Sequence, residues 1–315
     1  MDKTFNDKII DNLTILYEYE LINNNTFKAN AYKKVITNIK ESGIEIKNIN
    51  DISNVKGIGK SILEKILEII NTGKLEAVDD ILKDPKYILS KKLLNIYGIG
   101  PAKIKDLLEK VSSIDELYLE KNKGLLNDKQ QIGLKYYEDL LLRIPYAEAK
   151  KHHTIIKKTL LKINKDIEFE LVGSYRRKNK CVGDIDVLIK YNPDLKLKDL
   201  IDSLISNGYI LDSLAIGKNK FMGVSKLNKD LPARRIDILI ANEDNYYFAL
   251  LYFTGSYNFN IYMRNIALQK GYSLSEYGFK DNKTKKLLDT TDIIKSEKDI
   301  FDYLKMEYVD PDKRL

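Results

Sequence analysis

Apolar positions recur at two different periods along this chain, and the change of period divides it. Ile9, Leu13, Leu16 and Tyr17 fall on one side of a 3.6-residue helix, as do Ile62, Ile66, Ile69 and Ile70. Asn71-Thr72-Gly73 supplies a C-cap and stop for the latter helix. Asp84-Pro85 breaks the pattern, and a second helical stretch runs to about Leu142, closed by Ile144-Pro145. After a helix near 147–163 the period drops to two. Phe169 and Leu171 alternate with Glu168 and Glu170, and Ile185, Val187 and Ile189 with Asp184, Asp186 and Leu188. Ile236, Ile238 and Ile240 repeat the pattern, while residues 248–315 mix short strands with helices, one of them around 258–270. The expected class is α+β, an all-helical N-terminal half joined to a mixed C-terminal half.

Two glycine pairs interrupt the helical half. Val55-Lys56-Gly57-Ile58-Gly59 and Ile96-Tyr97-Gly98-Ile99-Gly100-Pro101 each precede a helix, 41 residues apart (positions 57 and 98). Paired glycines permit a tight turn and the close approach of another backbone. The helix that follows presents free amides and a positive dipole end to a phosphate, and Pro101 stands where a missing N–H costs least. One such string is also an ordinary packing turn. Two copies predict helix-hairpin-helix units that grip a nucleic-acid backbone without reading its sequence.

In the β-rich half, Gly173-Ser174-Tyr175-Arg176-Arg177 is followed by Gly183-Asp184-Ile185-Asp186. Positions i and i+2 of a strand face the same way, so Asp184 and Asp186 are expected to project together while Ile185 and Val187 enter the core. Adjacent carboxylates repel unless a cation lies between them. Arg235-Ile236-Asp237-Ile238 offers a third carboxylate, and three oxygen ligands suit Mg²⁺, which keeps waters and takes its remaining ligands from substrate phosphates. Two such ions about 4 Å apart activate an attacking hydroxyl and stabilise a leaving oxygen. A lone D-x-D is a common surface pattern. The Gly-Ser turn and Arg177 beside it change the reading to a nucleotidyltransferase site.

Composition sharpens the picture in one respect. The net charge is +7, which fits either a polyanionic partner or a lysine-rich composition bias. Of the 53 basic residues only seven are Arg, and six of these (Arg143, Arg176, Arg177, Arg234, Arg235, Arg264) lie in or near the motifs. Arg grips phosphate with a planar fork that Lys lacks. With one cysteine, Cys181, the chain can form no internal disulfide. No apolar run approaches the ~20 residues of a membrane span. The N-terminal residues lack a signal-peptide core, so a soluble intracellular protein, nuclear or cytoplasmic, is expected.

Taken with Arg143-Ile-Pro, Lys220-Phe-Met-Gly-Val, Tyr252-Phe-Thr-Gly-Ser and Ser296-Glu-Lys-Asp-Ile-Phe-Asp-Tyr, these motifs resemble the X family of DNA polymerases, the polymerase beta group, over essentially the whole chain. The resemblance implies a helical lyase domain (1–82), a helical DNA-binding subdomain (83–143), a catalytic palm with a mainly β-sheet core (144–254) and a small α+β nucleotide-selecting subdomain (255–315). It implies gap filling in base excision repair and in DNA replication, with 5′-deoxyribose-phosphate lyase activity. Asp184 and Asp186 would bind both of two Mg²⁺ ions, with Mn²⁺ as a substitute, and Asp237 the catalytic one. Arg143, Ser174, Arg177 and Gly183 would hold the triphosphate of a dNTP. Tyr252, Phe253 and Gly255 would line its sugar and Asn260 its base, while Arg264 and Arg235 would meet DNA beside Gly57, Gly59, Gly98 and Gly100. Lys65 matches the lyase nucleophile, with Tyr32, Lys28 and Lys34 around its pocket. Carbonyls of Ser53, Val55 and Ile58, and of Leu94, Ile96 and Ile99, match Na⁺ or K⁺ sites at the hairpins. The implied partners of this monomer are gapped or nicked duplex DNA, a DNA ligase and other repair proteins.

Several positions depart from the family pattern. Phe27 stands in place of a histidine, Ser53 and Ser61 in place of phosphate-binding lysines, and Leu239 in place of an arginine near the third aspartate. Tyr257 replaces an aspartate beside the nucleotide and Ile261 a lysine facing the template. Three alternatives stay open: a template-independent nucleotidyltransferase, a polymerase without lyase activity, and a catalytically idle DNA-binding scaffold.

Overall fold

The computed structural model describes residues 4–52 and 55–314. They form two compact units, residues 1–135 and 136–315. The first unit is helical: α1 (Phe5–Ile22), α2 (Thr26–Ser42), α3 (Ile49–Ile52), α4 (Lys60–Thr72), α5 (Glu76–Ile81), α6 (Pro85–Leu94), α7 (Pro101–Leu108) and α8 (Asp128–Lys135). Its sequence signals act where the physics places them. Thr4 caps α1 through a reciprocal bond with Asp7, Asp84 caps α6, and Gly73 ends α4 with φ 78°. The expected helical face is realised, for Ile9, Leu13, Leu16, Ile62, Ile66 and Ile69 share one buried core with Val35 and Ile39 of α2.

The second unit contains α9 (Tyr137–Leu141), β1 (Ile144–Pro145), α10 (Tyr146–Ile163), β2 (Phe169–Leu171), α11 (Gly173–Arg176), β3 (Cys181–Val182) and β4 (Ile185–Lys190). After these come α12 (Leu197–Ser206), β5 (Ile210–Ile216), β6 (Lys220–Ser225), β7 (Arg234–Ala241), α13 (Tyr246–Thr254) and α14 (Tyr257–Gln269). A hairpin of β8 (Tyr272–Ser275) and β9 (Gly278–Asp281) and then α15 (Glu297–Tyr303) complete it. Its sheet runs β2-β4-β7-β6-β5, with β4 and β7 parallel and the other neighbours antiparallel. The architecture is α+β, as expected.

The period-two pattern assigns the faces of this sheet. Ile185, Val187 and Ile189 of β4 and Ile236, Ile238 and Ile240 of β7 enter one core with Ile156 and Leu160 of α10 and Leu200 of α12. Positions of opposite parity turn to the other face, where Leu188 packs with Tyr246, Ala249 and Leu250 of α13. Asp186 and Asp237 share that second parity. Packing therefore fills one face completely and leaves the start of the other to carboxylates.

Candidate active site

The site begins at a register. Asp186 of β4 lies directly opposite Asp237 of the parallel neighbour β7. Asp184 lies one residue before β4 rather than within it, and its carboxylate accepts a hydrogen bond from Arg235. Burial, and then the carboxylates of Asp184 and Asp237, push Asp186 up to about 7. Burial likewise raises Asp237, whose Oδ1 is buried without a hydrogen-bond partner. An orphaned buried carboxylate oxygen is costly unless a cation or proton satisfies it. The three side chains thus fit a divalent ion in donor chemistry. Among the described residues no group of three or more His, Cys, Asp or Glu side chains is already placed to hold a metal ion, and Asp184 is engaged by Arg235.

The turn after β2 closes over these carboxylates. The Val172 N–H donates to the Asp186 carbonyl at 2.9 Å, which brings the next residue, Gly173, onto the aspartate. A Cβ at Gly173 would stand 2.5 Å from Asp186 Oδ2, and its φ is +60°, so only glycine fits. Ser174 follows in the one-turn helix α11, and Arg177 caps that helix. The Arg177 guanidinium donates to the carbonyl of Thr254 and lies 3.2 Å from where a Cβ on Gly255 would be. On the other side, Arg143 Nη2 donates to the Cys181 carbonyl at 3.0 Å, and Nη1 lies 3.1 Å from a Cβ position on Gly183. Ser174, Arg177 and Gly255 are thus linked through one turn, and Arg143 and Gly183 through another.

A small cavity is lined by Asp186, Asp237, Lys220 and Phe253. A second is lined by Tyr252, Asn260, Arg264 and Ser275. Asn260 donates to the Tyr252 carbonyl at 2.7 Å, and the Arg264 guanidinium lies over the Tyr252 ring, 5.2 Å from its centre. The helical spacing of Asn260 and Arg264 therefore places both against a single residue.

In the helical unit both glycine pairs form the turns expected of them. Gly57 and Gly98 have φ of +88° and +84°, and Gly59 and Gly100 are the N-caps of α4 and α7 without side-chain caps. The Gly59 carbonyl accepts from Ile62 and Leu63 and that of Gly100 from Lys103 and Ile104. The N–H groups of Lys60, Ser61 and Ala102 thus precede the first intrahelical bonds, and Pro101 has none to satisfy. Of the carbonyls matched to cation sites, that of Ile96 accepts from the Ile99 N–H at 3.1 Å. Ser53 lies outside the described residues. Lys65 is half-buried on α4, and its Nζ donates to Ser61 Oγ at 3.2 Å. Tyr32 is buried. Lys28 pairs with Glu20 at 3.6 Å, and Lys34 lies 3.5 Å from the Cβ position of Gly57. Phe27 is 84% exposed, an aromatic ring in water on the same helix.

The sequence assigns no role to Thr254 and Glu297, which stand inside quoted motifs, or to Arg314, which does not. Each is at most 5% exposed, and all three bond into the network around Arg176. The available signal was Arg314, the one arginine outside the motifs of a chain that otherwise uses lysine.

Four family models match successive segments of the chain: a helix-hairpin-helix domain over residues 4–75, the fingers domain of DNA polymerase lambda over 91–141, the DNA polymerase beta palm over 143–243 and the DNA polymerase beta thumb over 249–315. DNA polymerase lambda of Rattus norvegicus is 29% identical over 98% of this chain and 56% of its own length. DNA polymerase lambda of Arabidopsis thaliana is 27% identical over 90% of this chain and 57% of its own length. A DNA nucleotidylexotransferase of Gallus gallus is 25% identical over 98% of this chain and 67% of its own length. The chain spans little more than half the length of the two polymerases.

Proposed function

Because the chain belongs to the X family of DNA polymerases, we propose that it extends a DNA primer along a template, filling short gaps in duplex DNA during base excision repair. The observation that carries this reading is Asp186 facing Asp237 across β4 and β7, with a buried oxygen unsatisfied. Asp184, Asp186 and Asp237 would hold Mg²⁺ or Mn²⁺. Bound there, the ions supply positive charge that acidifies the primer 3′-hydroxyl and neutralises the phosphates. Arg143, Arg177, Ser174 and the Gly183 backbone bind and orient the triphosphate, Tyr252, Phe253 and Gly255 the sugar, and Asn260 the base. Arg235 donates to Asp184 and would meet DNA beside the metal-binding carboxylates. In this reading residues 1–82, 83–143, 144–254 and 255–315 act as lyase, DNA-binding, catalytic and nucleotide-selecting segments. The amides of α4 and α7 would grip backbone phosphates, the hairpin carbonyls would hold Na⁺ or K⁺, which would supply positive charge toward the DNA backbone, and a ligase would seal the nick that remains.

Extension of a primer in a short gap, with and without the templating strand, tests this. Templated addition that stops on chelation of the metal is expected. Equal addition without a template would replace it with the second reading, terminal transfer, which the nucleotidylexotransferase relative favours.

Lyase activity is the further proposal for the N-terminal segment. Lys65 is held at Ser61, and Ser53 and Ser61 supply no charge for a 5′-phosphate, so weak substrate binding is expected while the Schiff-base step is retained. Borohydride should trap the enzyme on a 5′-deoxyribose-phosphate end. Lys65→Ala should remove most of that adduct and leave gap filling intact. Undiminished trapping in Lys65→Ala would assign the nucleophile to another lysine.

A further inference from the structure

One buried carboxylate on the second unit is shared by two arginines. Glu297 opens α15 and is 5% exposed. Its Oε1 accepts from Arg314 Nη1 at 2.6 Å and Arg176 Nη1 at 3.0 Å, and its Oε2 from Arg176 Nη2 and the Tyr308 hydroxyl, both at 3.0 Å. Burial alone would raise its pKa, but the hydrogen bonds from Arg314 and Arg176 hold it below the ordinary value. Arg314 is 1% exposed, donates to the Val309 carbonyl at 2.9 Å, and lies over the rings of Phe259, Phe301 and Tyr308 at 5.3, 5.4 and 5.5 Å.

Such a cluster is a poor device for stability alone. Burying ions is costly, and well-packed apolar residues of similar volume often do as well or better. Here two cations share one anion, and Arg314 Nη2 is buried without a partner. What charged forks provide that apolar side chains do not is a fixed direction.

The network ends at the nucleotide residues. Arg176 Nη1 also donates to Thr254 Oγ1 at 2.7 Å, and the neighbouring Arg177 donates to the carbonyl of that same threonine. Consecutive arginines thus grip one residue from two sides, and Gly255 follows it. Ser174 lies two residues before Arg176 in α11. At the other end Arg314 packs on Phe259, the residue before Asn260 in α14. The turn assigned to the triphosphate and the helix assigned to the base are both indexed to one carboxylate.

We infer that Glu297 and Arg314 are positioning residues for nucleotide binding, acting through Arg176 and Thr254 on the Ser174–Arg177 turn and through Phe259 on α14. This rests on the dNTP reading above and adds to it the device that sets the distance between its two halves.

The test compares wild type with Glu297→Gln, Arg314→Met, Arg314→Lys and Thr254→Val. Equilibrium binding of Mg²⁺-dNTP to the enzyme on gapped DNA is measured beside gap-filling kinetics normalised by active-site titration. Loss of hydrogen bonds to a charged group costs about tenfold or more, so Glu297→Gln and Arg314→Met are expected to raise the dNTP Kd and KM about tenfold or more. Affinity for DNA should be unchanged, and kcat per titrated site should fall by less than about threefold, the split expected when ground-state binding is lost. Arg314→Lys keeps the charge but not the fork and should not rescue. Thr254→Val removes one hydrogen bond at nearly constant volume and should raise Kd about three- to tenfold, as loss of a single ordinary hydrogen bond does. Folded Glu297→Gln or Arg314→Met with wild-type dNTP affinity would overturn the inference. Should neither variant fold, an unchanged Kd in Thr254→Val overturns it instead. Wild type that binds no dNTP on gapped DNA would defeat the polymerase reading itself, and the inference with it.

Discussion

A carboxylate buried beside other carboxylates is stable only when a proton or a cation relieves it, so the residues best suited to hold metal destabilise the protein without it. Asp237 carries the sharpest form of this conflict, with one buried oxygen unpartnered. Asp237→Asn should lower nucleotide incorporation by about 10² to 10⁴, the equivalent of the several kcal/mol that a metal supplies. DNA affinity should be kept, and the melting temperature of the metal-free variant should equal or exceed that of wild type. An active variant in a single-turnover assay would remove Asp237 from the site. His152 shows the opposite sign of strain. It is fully buried, with Nδ1 2.7 Å from the Tyr209 hydroxyl and Nε2 unpartnered, and burial, then the charge of Arg234, lowers its pKa to about 3. The unfolded chain takes up a proton near pH 6.5, whereas the folded protein does so only near 3. Stability is therefore fully present above pH 6.5 and falls as the pH drops from there towards 3. Melting temperatures at pH 7.5 and 5 should differ more for wild type than for His152→Asn. Equal slopes would locate the acid sensitivity elsewhere.

At the scale of elements, two kinds of turn decide what the chain can bind. In the hairpins, Gly57 and Gly98 hold φ of +88° and +84°, and a Cβ would meet Asn38 Nδ2 and Gln130 Cγ at 3.3 Å in each case. A side chain in the left-handed region costs about 1–2 kcal/mol. Gly57→Ala and Gly98→Ala should each weaken binding of gapped DNA several-fold in fluorescence anisotropy while dNTP affinity stays constant. The turn into α11 is stricter, because the obstacle is Asp186 itself at 2.5 Å. Gly173→Ala should abolish gap filling at unchanged DNA affinity. The regular elements were legible wherever one face is buried. Ile62, Ile66 and Ile69, and Ile236, Ile238 and Ile240, state their period plainly. Helix α12 states its period as plainly in Leu197, Leu200, Ile201 and Leu204, whereas α13 hides its own, being apolar nearly all round, with Phe248, Ala249, Leu250 and Leu251 consecutive and buried.

For the whole molecule, charge and unit structure set the expectations. A protein carrying +7 that binds phosphates with lysines, arginines and helix N-termini releases counterions on binding, so log affinity should fall linearly with log salt. Gapped duplex should bind more tightly than intact duplex in the same titration, and equal affinities at all salt concentrations would contradict gap recognition. Residues 136–315 form a compact unit with its own cores and contain every residue assigned to the divalent metal and the nucleotide. That fragment should bind dNTP while losing much of the full chain's affinity for gapped DNA. No helix among the described residues is long and apolar enough to cross a membrane.

What the sequence determined by itself is whatever short range fixes: the two periods, the glycine turns, the caps at Asp84 and Gly73, and the spacing that sets Asp184 and Asp186 beside a Gly-Ser turn. What only the tertiary structure decided is every relation across the fold. It set Asp186 opposite Asp237 rather than one residue out of register, turned Arg235 onto Asp184, and brought Glu297 and Arg314 to Arg176 from more than a hundred residues away in sequence. Local patterns follow from the bonds and sterics of neighbouring residues. The pairing of distant charges follows from how the sheet and helices pack, and no window along the chain contains that.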